Sequence, residues 1–153
     1  MSDLYCLKCK KYHHHNYHKC DVLSLVPVTR RCRNLADTLY SMGIELFGVA
    51  HFTQLVTGSQ NKYIINIIVE LRHLYQIELL NRLPIKWRVY TETYSSDRTP
   101  LAVPILAYYE TYYCDGTKGV DNRVQEIIDG FVLYLEENYD ADGVKAVTTL
   151  MYS

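Results

Sequence analysis

Three cysteines crowd the first twenty residues, in the run Cys6-Leu7-Lys8-Cys9-Lys10-Lys11-Tyr12-His13-His14-His15-Asn16-Tyr17-His18-Lys19-Cys20. A Cys-x-x-Cys pair lets two thiolates grip one tetrahedral ion from a single tight turn, and a histidine and a third cysteine a few residues on can close the shell. The segment holds too few apolar side chains to fold by burial, so an ion would supply the stability that a core cannot. The ligand set expected is Cys6, Cys9, His15 and Cys20, holding one zinc ion. Four protein ligands leave no open position, which makes such a site structural rather than catalytic. His14 can stand in for His15, His18-x-Cys20 offers another second pair, and Cys32 can replace the histidine in a wider four-cysteine site.

The spacing Cys6-x2-Cys9-x5-His15-x4-Cys20 resembles the CCHC zinc knuckle, with one residue more between the second cysteine and the histidine. The resemblance covers residues 6–20 only. It implies a compact zinc turn and contact with single-stranded RNA or DNA.

Charge divides the chain in the same sense. Residues 1–35 carry seven Lys/Arg against Asp3 and Asp21, a net of +5, while residues 36–153 carry nine basic and fifteen acidic residues, a net of −6. A basic head on an acidic body fits an anionic partner for the head, or contact between the two. Lys8, Lys10, Lys11 and Lys19 alternate with Tyr12 and Tyr17, giving cations for phosphates and rings for bases. Arg30, Arg31 and Arg33 extend the patch at the start of the first expected helix, where an anion would offset their repulsion from the helix dipole. Nucleic acid, or another anionic ligand, is therefore the expected partner.

The remainder can bury a core, since 48% of the residues are hydrophobic and 22% are charged. Cys32, Leu35, Ala36, Leu39 and Met42 follow helical spacing and predict a helix over 30–42. Ile44 to Val56 reads as a strand, closed by a loop at residues 57–61. Tyr63 to Leu71 reads as a strand with both faces apolar. His73 to Leu83 reads as a short helix, and Trp87 to Tyr94 as a third strand. Residues 101–113 fit either state: Pro104 opposes an uninterrupted helix, and as a strand they would set Tyr109 and Tyr113 on one face with Tyr108 and Tyr112 on the other. Val124, Ile127, Ile128, Phe131, Val132 and Leu135 form one stripe of a long helix, and Val144, Val147, Leu150 and Met151 suggest a last short one. The helix–strand–strand–helix–strand order predicts an α+β fold: a small, mainly antiparallel sheet with helices on one face. A zinc-binding segment at 1–21 would precede this domain at 22–153.

The chain opens without a basic region followed by an apolar stretch, and no run of apolar residues is long enough to span a bilayer. A cytoplasmic setting, with thiols kept reduced, is expected.

No Gly-rich phosphate loop and no nucleophile motif occurs, so the expected function is that of a zinc-stabilised, non-enzymatic binding or regulatory protein. Its body would supply a protein interface, and a homo-oligomer is compatible with the aromatic strands. An alternative is a protein that binds or sequesters a nucleotide-like small molecule through Tyr94, Ser96, Asp97 and Arg98. A small hydrolase would need His51 or His73 to meet Glu92 or Asp97. A compact chain of this kind also fits a viral or mobile-element origin.

Overall fold

A computed structural model describes residues 2–13, 20, 25–73, 82–96, 99–140 and 142–146. Its centre is a seven-stranded mixed sheet, in the order β2-β1-β3-β4-β5-β7-β6. The strands are β1 (Ser2–Cys6), β2 (Lys11–His13), β3 (Leu25–Thr29), β4 (Leu46–Leu55), β5 (Lys62–Leu71), β6 (Trp87–Ser96) and β7 (Thr99–Tyr113). Among the described residues, β3 and β4 pair in parallel and the other pairings are antiparallel. Such a parallel step needs a crossover, and the segment after β3 provides it: a 3-10 turn (Arg30–Cys32) runs directly into α1 (Arg33–Ser41). The second long helix, α2 (Thr117–Asn138), follows β7. The α+β class read from the element order is the class observed.

Both helices lie on one face of the sheet. β5 shows why: Tyr63, Ile65, Ile67, Val69 and Leu71 are buried while their alternates are half-exposed. The inward side chains of the strands meet Leu35 and Leu39 of α1 and Val124, Ile128, Phe131 and Leu135 of α2. The whole stripe read from the sequence of α2 is buried. Each such side chain contributes about 1.5–3 kcal/mol relative to exposure. Gly116, at φ +83°, makes the sharp entry from β7 into α2, a conformation open to glycine without strain.

The ambiguous stretch 101–113 is strand throughout. Pro100 and Pro104 are tolerated because β5 pairs with β7 only between Ile105 and Tyr113. The prolines fall beyond the end of β5, where a missing N–H breaks no ladder on that side. The expected helix over 73–83 falls almost wholly outside the described residues, as does most of the last one, of which 142–146 are helical. Among the described residues, no helix is long and apolar enough to cross a membrane.

The N-terminal segment, expected as a separate unit, is built into this sheet. β1 pairs with β3 along its full length, from Ser2 opposite Thr29 to Cys6 opposite Leu25. Tyr5 is inserted under α1, stacked on Tyr40 at 4.2 Å between ring centroids.

Candidate metal centre and its surroundings

Cys6 closes β1, and residues 7–10 turn the chain back into β2. The turn is tight. Lys10 N–H donates to the Cys6 carbonyl at 2.8 Å, Cys9 N–H donates to Cys6 Sγ at 3.4 Å, and Lys10 sits at φ +60°. This places Cys9 Sγ over Cys6 Sγ, and Cys20 joins them. The three sulfurs all lie within 4.8 Å of one another, with Cys9 and Cys20 at 3.5 Å. Sulfurs bound to one tetrahedral zinc are about 3.8 Å apart, so the spacing suits a single ion. Cys6 is fully buried, Cys20 half-buried and Cys9 exposed, which gives an ion access from one side.

Three cysteines can therefore hold a metal ion. The thiol proton of Cys20 is held tightly. Its hydrogen bond with Cys9, with desolvation and the nearness of Cys6, pushes the thiol up to about 11. Metal binding would displace such protons, so it is coupled to pH. His15, expected as the fourth ligand, lies outside the described residues together with His14 and His18. Cys32 is elsewhere: it is buried in the core beneath α1, and desolvation pushes its thiol up to about 12.

The basic residues separate into two groups. Lys8, Lys10 and Lys11 are exposed around the metal-site turn. Arg30, Arg31 and Arg33 lie past the far end of β3. Tyr17 and Lys19 lie outside the described residues. Arg30 and Arg33 both pair with Asp3, at 3.3 and 3.5 Å, and that carboxylate is only 2% exposed. Tyr12 faces the helices: its hydroxyl donates to Asp37 at 2.8 Å and the Arg33 guanidinium covers its ring at 3.9 Å. These contacts fasten the edge hairpin to α1.

The sheet face away from the helices is exposed in part: Ile105 and Val103 on it are buried, and the rows nearer the end of β7 are not. Phe52, Asn66 and Tyr109 form one row across β4, β5 and β7, and Tyr113 stands opposite Lys62. Phe52 is 57% exposed, Tyr109 48% and Tyr113 63%. Tyr108 and Tyr112, with the other phase of β7, point to the helix side.

Asp97 and Arg98 lie outside the described residues; Tyr94 and Ser96 are in β6, in its last three positions. Of the described acid–base candidates, His51 and Glu92 do not meet. His51 is on the helix side of β4, opposite Ile67, whereas Glu92 is on the open side of β6, opposite Val103. His73 approaches Glu45 at 3.9 Å.

Sequence reasoning missed a polar cluster on the helix side. Glu110 is 6% exposed and receives Arg123 through both carboxylate oxygens at 2.7 Å. Lys86 and the Tyr108 hydroxyl donate to the same carboxylate, each at 2.9 Å. Arg123 above all, with Lys86 and Tyr108, holds the Glu110 carboxyl down at about 2 against the cost of its burial. The signal was available once residues 101–113 are read as a strand, because Glu110 falls in the inward phase.

No family model, no curated protein and no solved structure matches the chain.

Proposed function

We propose that this is a zinc-stabilised, non-catalytic binding protein whose N-terminal hairpin engages single-stranded nucleic acid. One observation carries the reading: three thiols meet at a turn around which Lys8, Lys10 and Lys11 are all exposed. In this reading the ion is zinc and His15 completes the shell, as the chemistry of a thiol-rich, closed tetrahedral site favours. The metal fixes the backbone of the turn, and the lysines on it meet phosphates without first paying the entropy of ordering a loop. The exposed rings of Phe52, Tyr109 and Tyr113 lie several strands away and toward the other end of the sheet from the turn, and would stack unpaired bases only of a strand long enough to span both.

Fluorescence anisotropy with a labelled single-stranded oligonucleotide tests it. Binding should weaken with salt, with a log–log slope reduced by about 2 when Lys8, Lys10 and Lys11 are all changed to Ser. Chelation of the metal should weaken binding in the same assay. Absence of binding at low salt, or a slope unchanged in the triple variant, would overturn the reading.

A further inference from the structure

At the far end of β3 from the thiols, Thr29, Arg30, Arg31, His51 and Gln125 line an open hollow of about 440 Å³. It forms where the 3-10 turn, β4 and α2 meet. Its chemistry is one-sided. Thr29 contributes a hydroxyl, Arg30 and Arg31 guanidinium groups, and His51 an imidazole. Gln125 directs one amide N–H to Asp129 at 2.8 Å and keeps a second.

Two side chains here have unused capacity. Among the described residues, the one hydrogen bond of Arg31 is a long contact of 3.5 Å to the Asp121 carbonyl. Five N–H donors on a guanidinium leave the rest of its fork for a ligand. His51 Nδ1 is shielded from solvent and has no hydrogen-bond partner. A shielded polar atom without a partner is rare in a native fold, and since solvent does not reach this one, a ligand in the open hollow would meet it only after the ring turns. Of the side chains lining the hollow, Arg30 and Arg31 are cationic and none is acidic, which favours an anion over a cation as the occupant. Guanidinium forks beside an imidazole, offering protons from several directions, match a tetrahedral oxyanion with many acceptors.

We propose that this hollow binds a phosphate group, with Arg31 and His51 as its principal contacts. The group belongs either to a small phosphate compound or to the backbone of a nucleic-acid strand. The site is independent of the lysine hairpin. Ser2 opposite Thr29 and Cys6 opposite Leu25 mark the two ends of the β1–β3 pair, about 13 Å apart along the strand. Either site can fail without the other.

The test is an NMR titration of the full chain that follows the His51 imidazole nitrogens. Inorganic phosphate should shift them saturably. Arg31→Met should weaken that response at least tenfold, and Arg31→Lys, which keeps the charge but loses the fork, should weaken it less. Changing Lys8, Lys10 and Lys11 to Ser should leave phosphate affinity within twofold. A second titration uses oligothymidylate without a terminal phosphate. A matching His51 shift assigns the site to a strand backbone; a shift with inorganic phosphate alone assigns it to a small phosphate compound. Because Arg31 also touches α2, the variants are compared only after their amide spectra match that of the parent. If they do not match, the parent titration decides alone. No saturable His51 shift up to about 10 mM phosphate, or equal affinity in a folded Arg31→Met variant, would overturn the proposal.

Discussion

Glu110 joins three parts of the molecule through one carboxylate. It is on β7, Arg123 is on α2, and Lys86 precedes β6. Removing the charge while keeping the shape leaves Arg123 and Lys86 facing a neutral amide. Glu110→Gln should therefore cost about 2–3 kcal/mol at neutral pH, in the range expected when one partner of a shielded, hydrogen-bonded pair is lost. The pH dependence has a definite sign. The folded carboxyl titrates at about 2, below its usual 4.5, so the unfolded chain takes up the proton first as pH falls. The contribution is complete above about pH 4.5 and is lost between there and pH 2. Urea denaturation at pH 7 and at pH 2.5 checks both statements: the gap between parent and variant should be wide at the first pH and narrow at the second. A constant gap would mean that the carboxylate is not the charged anchor of the cluster.

The metal-site turn depends on a conformation that its sequence does not advertise. Lys10 adopts φ +60°, where a side chain costs roughly 1–2 kcal/mol and glycine costs little. Lys10→Gly should therefore be neutral or stabilising by up to about 1 kcal/mol, and Lys10→Val should destabilise by about 1–2 kcal/mol, because a branched Cβ fits this region worst. Thermal melts of the metal-loaded protein would show the order Gly, Lys, Val; the reverse order would place Lys10 in another conformation. The same element shows how far a sequence can be read. The Cys-x-x-Cys spacing points to a turn, and Cys6, Cys9 and Cys20 do meet. That β1 would be a sheet strand was not legible, because Ser2–Cys6 is too short for a periodic signal and its pairing with β3 is fixed by tertiary contacts. α2 was legible because its stripe repeats over many turns. For β7, Pro104 masked the strand until the limits of its pairing with β5 were known. The hollow at His51 had no linear signal at all, since Arg31, His51 and Gln125 come from three separate elements.

At the scale of the whole molecule, the sheet has a seam. β2, β1 and β3 form one antiparallel group, and β4, β5, β7 and β6 form another; β3 and β4 join them in parallel, in register at Val28 and Val49. A metal held by the three thiols would stabilise the first group at its outer edge, whereas β5 and β7 are held by long ladders and by α2. Metal removal should consequently act locally. β2 is three residues long and has β1 as its paired neighbour, so without the ion it should lose amide protection together with the turn at 7–10. β1 should keep part of its protection, because Asp3 is paired with Arg30 and Arg33 and Tyr5 is stacked beneath α1. β5 and β7 should be unchanged. Hydrogen exchange with and without chelator tests this gradient, and Cys9→Ser should reproduce the chelated pattern. Cys32→Ser supplies the contrast: it puts a hydroxyl into the core beneath α1 and should lower global stability by about 1–3 kcal/mol while leaving metal binding intact. Loss of protection across β5 and β7 on chelation would instead make the ion a condition for folding the entire chain, and the two groups of strands would then be one cooperative unit.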